Sequence, residues 1–301
     1  MSAPTPPVMT KPVPPTPLGR KRPRPADALF RLALLASLAV ALLFLAVLIG
    51  YVLYEGVSRL DSRLWNNFPS IRHPERAGAQ SAIWGSVWVV GLTGLLCLPV
   101  GVAAAIRLDE YADPTRWYNR WLELNIQNLA AVPSVVYGIL GLGLIARGMG
   151  LGTTILTASL TLALLVLPIV IIASREAIRA VPNSIRLGSL ALGATKWQTV
   201  WRQVLPAALP GIATGSILAL SRAMGEAAPL LLLGGLTYVA FNPDGINSAF
   251  TVLPIQIFNW TSQSREEFAA LAAAAIVALL VLLLAMNSLA IFIRNKYGKR
   301  W

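Results

Sequence analysis

A chain of 301 residues, 56% hydrophobic and 13% charged, with a mean hydropathy of +0.64, carries about half the charge of a typical soluble domain. Its apolar residues sit in long blocks, which excludes a soluble globular domain and predicts an all-α, polytopic membrane protein. One cysteine, Cys97, and one histidine exclude an intrachain disulfide and a Cys/His metal site, and Cys97 reads as buried packing.

Residues 1 to about 25 are rich in proline and basic side chains and lack apolar periodicity. They are expected to form a disordered cytoplasmic tail, with the membrane domain over 26–301. The apolar run that follows is too long for a signal-peptide core and has no clear cleavage site. A bilayer core of about 30 Å takes about 20 apolar helical residues. Six segments qualify, at roughly 29–53, 82–106, 125–146, 151–173, 209–236 and 268–293. With the N-terminus inside, eighteen of the 25 Lys and Arg fall in inside stretches and six in outside ones. That pattern predicts six spans with both termini cytoplasmic. The +12 net charge is therefore a topology signal and points to no nucleic acid partner. The glycines of "GLGLIA" at 141–146 and "GIATG" at 211–215 are read as close helix packing, not nucleotide binding. No P-loop motif occurs, so this chain is not expected to bind ATP through a P-loop.

Residues 174–208, between the fourth and fifth spans, are not loop-like. Pro182 should end one helical piece, with Asn183 or Ser184 capping the next and Gly193 breaking it. Thr195 and Gln198 have capping-box spacing for a third piece. That piece would place Trp197, Val200, Trp201 and Val204 on one face, against either the membrane interface or a protein groove.

This stretch resembles the cytoplasmic signature of bacterial ABC-importer permeases, E-A-A, three residues, G, nine residues, I-x-L-P. Gly193 and the Leu205-Pro206 pair match, whereas Leu187, Gly188 and Ser189 stand where E-A-A is usual and Gln203 replaces an apolar residue. The resemblance implies a coupling-helix hairpin docked on a separate ATP-hydrolysing subunit, with Leu187, Gly188, Ser189, Gly193, Ala194, Thr195, Trp197, Leu205 and Pro206 at the contact. From about 80 to 297, "IRLDEYAD", "NLAAVPSVVYGILGLG", "ALGATKWQTVWRQVLPAALPGIATG", "SRAMGEAAPLL" and "QIFNWTSQSREEF" together resemble phosphate-specific permeases of the PstA type. That implies a sister permease of PstC type, two ATPase subunits and an extracytoplasmic phosphate-binding protein as partners. It also implies that the chain is a transporter subunit rather than an enzyme, with ATP and Mg on the ATPase.

Arg222 and Glu226 lie in the fifth apolar block at helical i,i+4 spacing. Charges at that depth cost about 2.5–3.5 kcal/mol each, so the pair is read either as a structural ion pair or as a site in an aqueous path. In the second reading Arg222 offers its guanidinium to an oxyanion, and Glu226 orients it and keeps binding shallow. Gly225 and Pro229 are expected to open the helix beside the pair. Pro133 makes a second such spot, with Ser134 and Tyr137 as candidate hydroxyl donors to the path. Ala227 stands where PstA-type permeases commonly have Thr. Sulfate, molybdate or phosphonate remain alternative solutes. An ATP-independent transporter and a signalling scaffold are rivals, but no inverted repeat supports the former.

Overall fold

The computed structural model describes residues 25–113, 115–235 and 238–297; apart from Pro25, the tail expected over 1–25 lies outside them. The chain divides into two compact units, 1–50 and 51–301. Helix α1 (Pro25–Gly56) runs 32 residues and is long and apolar enough to span a bilayer. The short α2 (Ser62–Asn66) follows, its N-terminus capped by Asp61, which accepts from Arg63 N and Leu64 N.

Helix α3 (Gln80–Ile106) continues through a π-helical turn at Arg107–Tyr111. The expected third span, 125–146, is not one helix. It is α4 (Trp117–Ala130), then α5 (Ser134–Leu140) with a π-helical run Gly141–Gly148, bent by 101°. Proline at 133 has no N–H and keeps Val132 out of the α region, so the chain turns there. α4 also carries Asn119, Arg120, Glu123, Asn125, Gln127 and Asn128, too many polar groups to sit in hydrocarbon.

Helix α6 (Ile155–Arg179) begins at Thr154, which accepts from Thr157 N. It extends six residues beyond the expected end at 173. The hairpin follows as α7 (Asn183–Ala191), α8 (Lys196–Thr199) and a π-helical turn Val200–Val204. The fifth span is α9 (Leu205–Gly225), separated from the short α10 (Ala228–Leu233) by two non-helical residues. After a loop come α11 (Leu253–Thr261) and α12 (Glu267–Tyr297). Among the described residues five helical runs are long and apolar enough to cross a membrane, and the bent pair makes a sixth if taken as one span. No strand occurs among them, only an isolated bridge between Thr154 and Ala249.

α6 lies at the centre, packed on α3, α4 and α9. Its Leu162, Val166 and Val170 share a buried cluster with Val89 and Cys97 of α3 and with Ala219 and Ala223 of α9. Small residues allow that approach, since a Cβ on Gly211 would lie 2.7 Å from the Ala177 side chain, and one on Gly215 would collide with Ala173. On Gly141 a Cβ would run into Thr161, so "GLGLIA" packs a π-helical run against α6. Near the α3 N-terminus, Ser81 donates to Val239 O at 2.7 Å, Leu253 N donates to Ser86 Oγ at 2.9 Å, and Gly85 meets Thr251 O. The 238–252 segment is thereby sewn to one end of the bundle.

Candidate translocation site and coupling hairpin

α9 ends at Gly225 because Glu226 leaves the helical region, at φ −79 and ψ 112. Pro229 stands in the first turn of α10, where its missing N–H is harmless. Across this break Arg222 Nε donates to Glu226 Oε1 at 3.2 Å. The arginine side chain is 51% exposed and the glutamate 17%. Among the described residues Glu226 is the only side chain that hydrogen-bonds or pairs with that guanidinium, so its two terminal nitrogens are open. The neighbouring Ser221 hydroxyl lies 2.6 Å from Asn287 Oδ1 on α12. That contact fixes the rotation of α9 and with it the direction of Arg222.

The second break packs on the first. A Cβ on Gly138 of α5 would lie 2.7 Å from Pro229 Cα, so only glycine lets α5 come this close to α10. Ser134, half-buried, opens α5. Tyr137 is buried, and its hydroxyl donates to Leu129 O at 2.9 Å, satisfying a carbonyl at the end of α4.

In the hairpin, Gly193 takes φ +82, a left-handed turn that ends α7. The expected capping box is formed, with Gln198 N donating to Thr195 Oγ1 and Thr195 N to Gln198 Oε1. The expected cap by Asn183 or Ser184 is not; Pro182 occupies that position and no side chain caps α7. Asn183 Oδ1 instead accepts from Arg186 Nη1. The expected common face of Trp197, Val200, Trp201 and Val204 also divides. The π-helical turn rotates Val200 and Val204 into the core, each 1% exposed, while Trp197 and Trp201 stay out with ring centroids 5.2 Å apart. Leu187 and Leu192 of the same hairpin are also exposed, and Ser189 Oγ lies 2.9 Å from Thr199 Oγ1, tying the two limbs together. Gly188 has open space around it, Ala194 N closes the Gly193 turn on Ser189 O, and Leu205-Pro206 opens α9.

Three ion pairs at this end were not anticipated. Arg175 contacts Glu123 at 3.0 Å, Arg179 contacts Asp109 at 2.6 Å, and Arg186 contacts Glu110 at 2.8 Å. In the sequence these arginines read as topology charges. The available signal was the adjacent acids Asp109 and Glu110 of "IRLDEYAD", on the side of the membrane that carries most of the basic residues. Nearby, Thr115 holds the Asp113 carboxyl below the usual carboxylate range through its hydroxyl and backbone N–H. Among the described residues no cluster of three His, Cys, Asp or Glu is placed to hold a metal ion.

Residues 97–297 match the family described as binding-protein-dependent transport system inner membrane component. The chain belongs to this family. The permease is 34% identical to the phosphate transport system permease protein PstA 1 of Mycobacterium tuberculosis, covering 74% of the permease and 73% of that relative. It is equally identical, 34%, to the probable ABC transporter permease protein YqgI of Bacillus subtilis, over 72% and 74%. Its fold is shared with the inward-facing MetNI methionine ABC transporter, at TM-score 0.60 and 17% identity over 72% of the permease and 95% of that chain. A bacterial alginate ABC transporter solved with its periplasmic protein gives TM-score 0.62 at 17% identity, over 91% and 96%.

Proposed function

We propose that the permease forms half of a phosphate path in an ATP-driven importer, with both termini cytoplasmic. Its partners in this reading are a sister permease of PstC type, two ATPase subunits seated on α7 and α8, and an extracytoplasmic phosphate-binding protein. ATP is hydrolysed on the partner subunits. Arg222 meets the travelling anion with its open guanidinium edge, because arginine stays charged at any relevant pH and matches phosphate bidentately. Glu226 keeps the site shallow, so that the ion leaves again. Ser134 and Tyr137 stand on the element packed against the α9–α10 break.

The observation carrying this reading is a half-exposed arginine at a broken membrane helix, bound to one carboxylate through one nitrogen. The named phosphate permeases among the relatives support the choice of anion. The test is uptake of radiolabelled phosphate by proteoliposomes holding the whole complex, with and without ATP and with sulfate in competition. ATP-dependent uptake that sulfate does not compete for, lost in Arg222→Ala while all subunits still co-purify, is the expected result. Normal transport by Arg222→Ala removes the anion site, and flux by this chain alone without ATP removes the importer.

A further inference from the structure

The 101° corner between α4 and α5 has a consequence for α4 itself. If the α5 run crosses the bilayer, α4 lies close to the membrane plane, at the end of the bundle where α6 enters the hairpin. Residues four apart share a helix face, and α4 sorts into four strips. Asn119, Glu123, Ile126 and Ala130 are partly buried and form the side packed against α6. Beside them run Arg120 and Gln127, with Arg116 at the N-cap just ahead of them. Next come Trp117, Trp121, Leu124 and Asn128, with Trp117 78% exposed. Last are the exposed Tyr118, Leu122 and Leu129, with the partly buried Asn125 among them donating its amide to Trp121 O at 2.7 Å. The tryptophan strip therefore separates a basic strip from an apolar one. That order belongs to a helix at headgroup depth, with basic groups toward water, indoles at the interface and leucines toward the acyl chains.

The charges complete the case. Among the described residues no side chain pairs with the Arg120 guanidinium, and Arg116 meets only the exposed Asp113, at 3.7 Å, and Tyr118 OH, at 3.2 Å. Arg120 also lines a cleft of about 440 Å³ with Arg175 and Arg179, where three guanidiniums face the carboxylates of Asp109 and Glu123. The excess is positive, and it borders the tryptophans.

We propose that α4 is a lipid-reading helix that binds anionic phospholipid of the adjoining leaflet through Arg116 and Arg120, with Trp117 and Trp121 seated at the interface. Its Glu123 holds Arg175 at 3.0 Å and reaches Arg179 at 3.9 Å. Headgroups that fix α4 thereby fix the end of α6 from which the hairpin grows. The inference rests on membership of the permease family and on neither the solute nor the orientation.

The whole complex is placed in nanodiscs of brominated phosphatidylglycerol or brominated phosphatidylcholine, the same lipid on both faces. Emission from Trp117 and Trp121 is isolated as the difference from a Trp117→Phe/Trp121→Phe variant. The expected result is stronger quenching by the anionic lipid, with the preference falling about fivefold for each arginine removed in Arg116→Gln/Arg120→Gln, and retained in Arg116→Lys/Arg120→Lys. Equal quenching by both lipids overturns the proposal. So does absence of quenching in either, which makes α4 a surface covered by protein, and so does loss of the preference on adding inorganic phosphate, which makes the cleft a site for the free ion. None of these outcomes touches phosphate uptake, which is scored separately on the same preparations.

Discussion

Arg222 Nε lies 3.2 Å from Glu226 Oε1, and the two residues do not share a helix. The arginine stands on the last turn of α9, and the glutamate is the first residue past it, with extended backbone. A plain i,i+4 pair would stiffen a continuous helix; this one straddles a break. With half of the arginine side chain exposed, the pair is worth no more than about 1 kcal/mol to the fold.

Glu226→Gln separates transport from stability. In the phosphate-path reading the anion then faces Arg222 without a competing carboxylate and is held too tightly. KM and kcat are expected to fall together by about tenfold, roughly 1.4 kcal/mol of over-binding, while the thermal midpoint of the complex moves little. Initial rates of labelled phosphate uptake over a concentration series measure both. A lowered midpoint with KM unchanged returns the pair to a purely structural role.

Gly85 and Gly91 make a matched test of how the 238–252 segment is fastened. Both sit inside α3, where glycine is about 1 kcal/mol poorer than alanine. At Gly91 a Cβ meets nothing, so Gly91→Ala should stabilise by up to that amount. At Gly85 it collides with the Thr251 carbonyl, which is backbone and cannot rotate away. Gly85→Ala should therefore destabilise, by about 1–3 kcal/mol, and should free the segment anchored by Ser81 and Ser86. Thermal unfolding of both variants in detergent, with proteolysis of the 238–252 region as the local readout, checks the opposite signs.

Thr195→Ala removes one half of the capping box and should cost about 1 kcal/mol locally. Gly193→Ala places a Cβ on a left-handed residue at φ +82, a strain on the order of 1 kcal/mol. The hairpin carries exposed Trp197, Trp201, Leu187 and Leu192, so in the importer reading, where these meet the ATPase, misplacing it should weaken ATPase binding while the membrane helices stay folded. Co-purification of the ATPase subunit at rising salt concentration, beside circular dichroism of the permease, measures the two separately. Unchanged retention of the ATPase would move the docking surface elsewhere.

What could be read from the residues was what local chemistry decides. The capping box at Thr195 and Gln198, the stop at Gly193 and the opening near Gly225 and Pro229 all depend on neighbours within a few positions. The bend at Pro133 was half legible. The proline marked a break, but the polar content of α4 had to be weighed against the apolar stretch after it before the corner emerged. Hidden altogether was the rotation at Val200–Val204, since a π-helical turn is set by the packing of Val200 and Val204 and leaves the 3.6-residue pattern looking intact. For Arg179 and Arg186 the acids Asp109 and Glu110 were a signal, but the pairing itself was not legible, because the partners lie 70 and 76 residues apart along the chain. Asn287 and Ser221 are likewise joined only by the packing of α12 on α9.

The most consequential of those distant pairs is Glu110 with Arg186. Both side chains are largely buried, 9% and 18% exposed. The guanidinium donates from Nε and Nη2 to Glu110 Oε1 at 3.0 and 2.8 Å. It also closes the end of α6, donating to Val181 O at 2.6 Å and Ile178 O at 2.9 Å. One side chain thus joins the α3 extension, the α6 C-terminus and the first hairpin helix. Arg186, beside the exposed Leu187, is a tether for the hairpin. Removing one partner leaves an uncompensated buried charge, so Glu110→Leu and Arg186→Leu should each destabilise by about 3–5 kcal/mol. The double variant should lose clearly less than the sum, because neither charge is then stranded. Thermal unfolding of the four proteins closes the cycle. Strict additivity would mean that the two groups, though 2.8 Å apart, do not sense each other, and that the hairpin is held instead by Val200, Val204 and the Ser189–Thr199 contact.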